Sequence, residues 1–248
     1  MYKTVLITGA SRGIGAACAL LAAERGWQVC VNYHSDADAA ADVVRAIEQG
    51  GGSAFGYRAD VADEDAVANM FAAVDARYGR IDALVNNAGI LAQQMRVEQM
   101  DAARINRILA TNVTGSFLCA REAVRRMSTR HGGTGGGIVN VSSRAAVLGS
   151  AFEYVDYAAS KAALDALTTG LSKEVAVEGI RVNGVRPGLI DTGMHASGGE
   201  PGRVERLRAA VPMARGGHAI EVARAVLWLL SEEASYTTGS FIEVSGGR

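Results

Sequence analysis

The chain has 248 residues, 49% hydrophobic and 21% charged, which fits a globular protein of one large or two small α/β domains. Its formal net charge of −1 gives no reason to expect nucleic acid or an anionic membrane as a partner. No apolar run approaches the roughly 20 residues that a membrane-spanning helix needs.

The N-terminus and the cysteines both favour a cytoplasmic protein. One positive charge before a short apolar run is not the pattern of a secretion signal. Cys18, Cys30 and Cys119 are odd in number and irregularly spaced, so we expect buried free thiols. The four histidines show no metal-ligand spacing, so we expect no metal site.

A strand, a glycine-rich turn and a helix open the chain. Thr4 to Thr8 has the β-branched, apolar character of a buried parallel strand, and a helix is predicted from Ala16 to Arg25. Glycines let the backbone approach a pyrophosphate, whose charge is met by the helix N-terminus. The segment therefore predicts half of a dinucleotide-binding unit, with a flexible surface turn as the alternative. The turn consists of Gly9, Ala10, Ser11, Arg12, Gly13, Ile14 and Gly15.

The second predicted strand, Gln28 to Tyr33, bears on the choice of cofactor. An acidic residue at its end would accept a hydrogen bond from a ribose 2′-hydroxyl and repel a 2′-phosphate. The tip reads Asn32-Tyr33-His34-Ser35, and no carboxylate comes before Asp36. Together with Arg12, this tip favours NADP over NAD, although Asp36 or Asp38 could reach back.

Strands and helices continue to alternate, which predicts a doubly wound parallel α/β sheet with helices on both faces. Further strands are predicted at 54–58, 81–86, 138–142, 181–185 and 241–244. Further helices are predicted at 37–49, 63–78, 97–127, around Tyr157 to about Glu178, and at 222–230. Ligands bind such sheets beyond the carboxyl ends of the strands.

Polar and small residues follow the strands at that edge. Asp60, followed by Val61, could accept from an adenine amino group or cap the next helix. Asn87, Ala88 and Gly89 follow strand four, where amides can brace neighbouring loops and glycine lets a cofactor come close. Asn112 is a poor residue for a helix interior and predicts a kink or a bound water.

Tyr157 and Lys161 are four residues apart, and therefore one turn apart on the face of a helix. With seven tyrosines and three lysines, chance gives roughly 0.1 such pairs, although a surface tyrosine beside a solvated lysine remains the alternative. A cation about 4 Å away favours a phenolate by roughly 4 kcal/mol at an effective dielectric of about 20. We therefore predict that Lys161 lowers the pKa of Tyr157.

Taken in order over the whole chain, these motifs resemble the short-chain dehydrogenase/reductase family. The motifs are Thr8-Gly9-x-x-x-Gly13-Ile14-Gly15, Asp60-Val61, Asn86-Asn87-Ala88-Gly89, Asn112, Ser143, Tyr157-x-x-x-Lys161, Pro187-Gly188 and the ending Thr238–Gly247. The resemblance implies a single Rossmann-type domain over residues 1–248, with a seven-stranded parallel sheet.

The resemblance also implies a catalytic tetrad of Asn112, Ser143, Tyr157 and Lys161. Ser142 is the alternative serine, and Ser143 is preferred because it lies 14 residues before the tyrosine and further beyond the strand. Tyr157 would transfer the proton, Ser143 would hydrogen-bond the substrate oxygen, and Lys161 would bind the nicotinamide ribose. Asn112 would hold a water.

By the same resemblance, Pro187, Gly188, Ile190 and Thr192 flank the nicotinamide, and the enzyme is a homotetramer or homodimer. The substrate is a small alcohol or ketone, either a sugar or polyol or a 3-oxoacyl thioester. A non-catalytic cofactor sensor is the alternative from another class. The glycine-rich stretch within 190–217 is a candidate substrate lid. Its Arg203, Arg206 and Arg208 could dock an acyl carrier, but a solvated helix face is the simpler interpretation.

Overall fold

Nine strands occur in residues 2–248, the part of the chain that the computed structural model describes. They are β1 (Thr4–Ile7), β2 (Gln28–Tyr33), β3 (Ser53–Arg58), β4 (Ala83–Asn86), β5 (Gly136–Val141), β6 (Ile180–Pro187), β7 (Ile190–Asp191), β8 (Gly217–His218) and β9 (Phe241–Val244). Seven of them form one parallel sheet in the order β3-β2-β1-β4-β5-β6-β9, and β7 pairs with β8. The predicted seven-stranded doubly wound sheet is therefore confirmed.

The order of the strands reverses between β1 and β4, which fixes where a ligand can bind. Leu6 of β1 is paired with Cys30 on one side and with Leu84 on the other. The loops that follow β1 and β4 therefore leave the sheet in opposite directions and open a crevice at its carboxyl edge.

Ten α-helices connect and flank the strands. They are α1 (Gly13–Glu24), α2 (Ala37–Gln49), α3 (Glu64–Tyr78), α4 (Ala102–Leu109), α5 (Gly115–Met127), α6 (Ala145–Leu148), α7 (Val155–Val175), α8 (Met194–Ser197), α9 (Arg203–Leu207) and α10 (Ala219–Leu230). A π-helical turn, Ala110–Thr114, joins α4 to α5 without a break.

The sheet is buried on both faces because alternate strand residues pack against different helices. Val5 and Ile7 face a core layer built with α1, α2 and α10. Leu6 and Cys30 face a second layer that includes Phe71 of α3 together with residues of α5. All three cysteines are buried and free, as predicted, and burial raises the pKa values of Cys18 and Cys119 to about 12.

Most predicted elements lie within a few residues of their observed positions, and the main differences are at helix starts. Helix α1 begins at Gly13 rather than Ala16, so two glycines of the predicted turn form its first residues. The predicted helix 97–127 is interrupted, because the segment before Ala102 is a single 3₁₀ turn at 97–99. Helix α6 and the β7–β8 pair were not predicted.

A search of the described residues 2–248 finds no helix long and apolar enough to cross a membrane.

Candidate active site

Asn87, at the end of β4, ties the glycine loop to the neighbouring strand. Its side-chain nitrogen donates to the carbonyl oxygens of Thr8, at 2.9 Å, and of Gly9, at 3.0 Å. The backbone nitrogens of Asn87 and Ala88 both donate to the Thr8 hydroxyl at 3.0 Å. The predicted bracing by an amide at this edge is confirmed, and it fixes the two walls of the crevice relative to each other.

The first turn of α1 has the features of an anion cradle. Gly15 must be glycine, because a Cβ there would lie 2.5 Å from both the Gly9 oxygen and the Asn87 side-chain nitrogen. No side chain caps the helix, and no acidic residue lies in its first turn. Backbone N–H groups and the helix dipole are therefore free to meet a negative charge. These residues fit the pyrophosphate of a dinucleotide cofactor.

At the tip of β2, the side chains of Asn32 and Tyr33 are directed into the protein. Asn32 is buried, and its amide accepts from the Gly9 nitrogen at 3.1 Å and donates to the Ala59 oxygen at 3.1 Å. The ring of Tyr33 packs against the core beneath α2. Asn32 therefore supports the glycine loop, and the cofactor contacts predicted for Asn32 and Tyr33 stay a prediction. Of the predicted tip residues, His34 and Ser35 are exposed.

Two acidic residues near this tip, Asp36 and Asp60, accept hydrogen bonds from backbone nitrogens. Asp36 caps α2 by accepting from the Ala39 nitrogen at 3.1 Å, so it does not reach back. Asp63, rather than Asp60, caps α3. Asp60 accepts from the Ala62 nitrogen at 2.9 Å and remains 44% exposed, which leaves a carboxylate oxygen available to a ligand. Val61 is buried against Gly115 and offers only its backbone.

Lys161 lies at the centre of the site, on α7. Its side chain is 2% exposed, and its ammonium donates to the Val141 carbonyl oxygen, at the end of β5, at 2.7 Å. A Cβ added to Gly89 would lie 3.4 Å from this nitrogen. Burial lowers the pKa of Lys161 to about 8, with a smaller opposing effect of Asp165. The loops after β4 and β5 therefore converge on one desolvated cation.

Tyr157 lies one turn before Lys161, with the lysine nitrogen 5.6 Å from the centre of its ring. Loss of hydration raises the pKa of Tyr157 to about 12, and a hydrogen bond with the Ser143 side chain opposes this rise. The predicted lowering of the tyrosine pKa by Lys161 is therefore wrong for the chain's own groups. The ammonium faces a backbone carbonyl, and burial outweighs its attraction for a phenolate.

The two adjacent serines differ in orientation. Ser142 is buried and donates to the Lys161 carbonyl oxygen at 3.1 Å, so its hydroxyl is directed into the protein. The Ser143 oxygen accepts from the Ala145 nitrogen at 3.1 Å and hydrogen-bonds the Tyr157 side chain. The residue preferred from the sequence, Ser143, is thus the one that faces the tyrosine.

Asn112 lies in the π-helical turn, which is the irregularity that its position in the sequence predicted. Its buried amide accepts from the Ile90 nitrogen at 2.8 Å and donates to the Ile90 oxygen at 3.1 Å. It also donates to the Ser160 hydroxyl at 3.0 Å. The amide therefore holds the segment after Gly89 against α7, while its water-holding role stays a prediction.

The segment after β6 faces the glycine loop across the crevice. The Gly188 nitrogen donates to the Val244 oxygen at 2.9 Å, and the Arg144 nitrogen donates to the Pro187 oxygen at 2.9 Å. A Cβ at Gly13 would lie 3.5 Å from the Thr192 methyl group. Ile190 is buried and its carbonyl oxygen is 2.8 Å from His195. The segment predicted to flank the nicotinamide thus adjoins the predicted pyrophosphate cradle.

The candidate lid is held to the rest of the site by ion pairs. Arg203 is 8% exposed and binds both carboxylate oxygens of Glu153, while Arg206 pairs with Glu200. These contacts lower the pKa of Glu200 to about 2, chiefly through Arg206. The solvated face predicted for the arginines is wrong for Arg203. Arg208 pairs with Glu205 at 2.9 Å, so all three arginines of the supposed docking patch are neutralised.

A buried ion pair at the start of α7 was missed by sequence reasoning. Arg104 of α4 binds Asp156 at 2.7 Å and 3.3 Å, and both side chains are below 10% exposed. Arg104 also donates to the Gln93 oxygen at 2.6 Å, and Asp156 accepts from the Tyr157 nitrogen at 2.9 Å. The pair therefore joins the segment after β4 to the residue beside Tyr157. The two residues are 52 positions apart in the chain, so no local sequence pattern indicated that they pair.

Among residues 2–248, no three His, Cys, Asp or Glu side chains are grouped in a way that could hold a metal ion.

Comparisons with known proteins agree with this geometry. A family model described as enoyl-(acyl carrier protein) reductase matches residues 9–248. The chain is 61% identical over 243 residues to the uncharacterized oxidoreductase YgfF of Escherichia coli, covering 98% of each chain. It is 37% identical over 251 residues to the 3-oxoacyl-[acyl-carrier-protein] reductase FabG of Staphylococcus aureus, covering 100% of this chain and 98% of the other.

A solved structure also matches the chain over nearly its full length. The short chain dehydrogenase of Burkholderia cenocepacia J2315, in complex with NADP, superposes with a TM-score of 0.90 at 34% identity. The match covers 99% of this chain and 97% of that one.

Replacing Arg104 by Met should destabilise the protein by about 3–5 kcal/mol, because Asp156 would remain buried without its partner. The free energy of unfolding in urea measures this loss. The matched control is Arg96→Met, whose partner Glu98 is 66% exposed, and here a loss below about 1 kcal/mol is expected. Equal small losses for the two variants would contradict a structural role for the buried pair.

Proposed function

The chain belongs to the short-chain dehydrogenase/reductase family and is an NAD(P)-dependent oxidoreductase acting on CH–OH or carbonyl groups, and we propose that NADP(H) is its preferred cofactor and Tyr157 its general acid and base. The reaction is a reversible hydride transfer to or from the carbon of a carbonyl or secondary alcohol. The convergence of Ser143, Tyr157 and buried Lys161 at the carboxyl edge of the sheet carries the proposal.

Tyr157 and Ser143 both act on the substrate oxygen, in different ways. When bound, the nicotinamide supplies or accepts the hydride at carbon. Tyr157, with its raised pKa, is protonated at neutral pH and donates its phenolic proton to the oxygen during reduction. Ser143 donates a hydrogen bond to the same oxygen and stabilises its developing negative charge. In the direction of oxidation, the phenolate accepts the proton from the alcohol.

Lys161 has a role in both proton transfer and cofactor binding. The hydrogen bond from Lys161 to the Val141 carbonyl oxygen uses one of the three ammonium N–H groups. The other two would bind the nicotinamide ribose and stabilise a phenolate at Tyr157. Asn112 supports this arrangement by holding the segment after Gly89 in place, and a water on its backbone would link the lysine to solvent.

The cofactor contacts follow the two walls of the crevice. The α1 N-terminus with Gly9, Ser11, Gly13, Ile14 and Gly15 would hold the pyrophosphate. Asp60 and the Val61 backbone would hold the adenine, and the backbone of Asn87, Ala88 and Gly89 would line the β4 wall. Pro187, Gly188, Ile190 and Thr192 would flank the nicotinamide. The NADP preference is supported by the hydrogen bond through which Asp36 caps α2 and by the exposed side chains of Arg12, in the glycine loop, and His34, at the tip of β2.

The substrate is a small molecule that reaches Tyr157 beneath the candidate lid, residues 190–217. We favour a sugar, polyol or other small ketone over a carrier-bound 3-oxoacyl thioester, because Arg203, Arg206 and Arg208 are neutralised by carboxylates. A non-catalytic sensor is disfavoured because all four tetrad positions are filled and three of them are in contact.

Helices α5 and α7 offer a surface for a homotetramer or homodimer. The residues that line a groove between them include Phe117, half exposed, with Ala163, Ala166 and Gly170, beside charged residues such as Glu174. On α7, Ala162 and Ala166 are exposed, while Ala158 and Leu167 are buried within the subunit. Packing of this groove on a second copy would cover the exposed apolar surface.

Replacing Tyr157 by Phe should lower kcat by 10²-fold or more and leave the affinity for NADPH nearly unchanged, because the ring stays and only the proton is lost. Turnover is measured with NADPH or NADP⁺ on a panel of sugars, polyols and β-ketoesters, which also identifies the substrate class. Cofactor fluorescence measures binding. Retention of more than about a tenth of kcat would rule out proton transfer by Tyr157.

Light scattering at micromolar concentration should give a tetramer or dimer for the natural chain. Ala166→Arg should shift it toward a monomer, because a guanidinium in the groove between α5 and α7 would be desolvated without a partner. The matched control, Ala41→Arg, makes the same change at an exposed position of α2, on the other face of the sheet, and should leave the assembly intact. A monomeric natural chain would contradict the proposal.

A further inference from the structure

Arg58, the last residue of β3, lies beside the tip of β2. The two strands are paired so that Tyr33 stands opposite Arg58. The Arg58 Nε donates to the carbonyl oxygen of His34 at 3.1 Å, and the side chain is otherwise exposed. One edge of the guanidinium is therefore anchored at the point where the cofactor's adenosine ribose would lie.

The two terminal nitrogens of Arg58 have no carboxylate partner among residues 2–248, and Arg12 in the glycine loop has none either. Fourteen other arginines among these residues do form ion pairs. The nearby acids Asp36 and Asp60 accept from the backbone nitrogens of Ala39 and Ala62 rather than from these arginines. Asp60 also lies 3.8 Å from the His34 ring. The terminal nitrogens of Arg58 are therefore available to an anionic ligand at the β2 tip.

We infer that Arg58 binds the 2′-phosphate of NADP(H) and, with Arg12, is the main determinant of the preference for NADP over NAD. This inference rests on the proposed NADP preference and assigns it to a residue outside the predicted tip. The anchored guanidinium presents its remaining planar fork outward, in the geometry that binds two phosphate oxygens. A 2′-hydroxyl has neither the charge nor the oxygens to use that fork.

A plain alternative is that Arg58 only joins the ends of β2 and β3 through its bond to His34. The two roles differ in their dependence on the ligand. A purely structural arginine would affect both dinucleotides equally, because the loop that it holds contacts the adenosine of each. A phosphate-binding arginine affects only the ligand that carries the 2′-phosphate.

The test is titration calorimetry with NADPH, NADH, adenosine 2′,5′-bisphosphate and AMP, which needs no substrate. The natural chain should bind the two 2′-phosphorylated ligands more tightly than their counterparts. Arg58→Ala should weaken NADPH and the bisphosphate by 10-fold or more, as expected for loss of a charge-assisted pair, and leave NADH and AMP within about twofold. Arg58→Lys should recover only part of the loss, because a lysine lacks the fork.

Arg25→Ala is the matched control, since Arg25 is exposed and follows the far end of α1. It should leave all four affinities unchanged, and thermal melting verifies that each variant is folded. Equal affinity of the natural chain for NADPH and NADH would overturn the proposed NADP preference and this inference together. A natural preference for NADPH that survives Arg58→Ala, or an equal loss of both dinucleotides, would overturn the inference alone.

Discussion

A buried lysine at the carboxyl edge of the sheet is the constraint on which the rest of the site depends. Lys161 is almost inaccessible to solvent, and its hydrogen bond is to a backbone carbonyl rather than a carboxylate. Such a charge is costly to bury, and the cost appears as a pKa lowered to about 8. Perturbed groups of this kind concentrate at functional sites, and here the lysine lies one turn from Tyr157.

Several irregular features of the fold become intelligible around that lysine. The π-helical turn places Asn112 where its amide can hold both backbone groups of Ile90, next to Gly89. The Ser142 hydroxyl donates to the Lys161 carbonyl oxygen, and the Lys161 ammonium donates to the Val141 carbonyl oxygen. These two hydrogen bonds fix the end of β5 to α7. These hydrogen bonds are made by buried side chains, and they hold the site in shape without the lid.

A second chain of buried amides serves the same purpose deeper in the protein. Asn86 donates to Asn140 at 2.9 Å, and Asn140 donates to the hydroxyl of Thr168 at 2.8 Å. The three residues come from β4, β5 and α7, and α7 carries Tyr157 and Lys161. Together with Asn87 and the glycine loop, they make the carboxyl edge a rigid frame. The lid, in contrast, is attached by the ion pairs of Arg203 and Arg206 with Glu153 and Glu200 rather than by a chain of buried amides, so it is the part of the site best suited to move.

The fold and the catalytic motif could be predicted from sequence because both depend on short-range patterns. Strand β9 was predicted at its observed bounds, and β2 likewise, because an apolar run between turns is a local signal. The directions of Asn32 and Tyr33 could not be predicted, since they depend on which residues of β3 and α2 lie opposite. The Arg104–Asp156 pair and the burial of Arg203 depend on contacts about 50 residues away in the chain, for which charge composition carries no information.

The Tyr157 pKa was predicted in the wrong direction for a related reason. The spacing from Tyr157 to Lys161 indicates proximity but says nothing about hydration or about the carbonyl that competes for the ammonium. Burial raises the pKa of the phenol and lowers that of the amine. The pair therefore consists of a neutral phenol beside a desolvated ammonium at neutral pH.

The cost of burying Lys161 is tested most directly by comparing unfolding free energies of the natural chain and Lys161→Met from pH 7 to pH 10.5. The lysine pKa is about 8 in the folded chain and 10.5 ordinarily, so the unfolded chain binds more protons between these values and folding stability rises with pH. The raised pKa of Tyr157 acts in the opposite sense, mainly above pH 10, and is shared by both proteins. The natural chain should gain about 3 kcal/mol relative to the variant across this window. Parallel stability curves would contradict the account, because they would mean that Lys161 is not held as a desolvated charge.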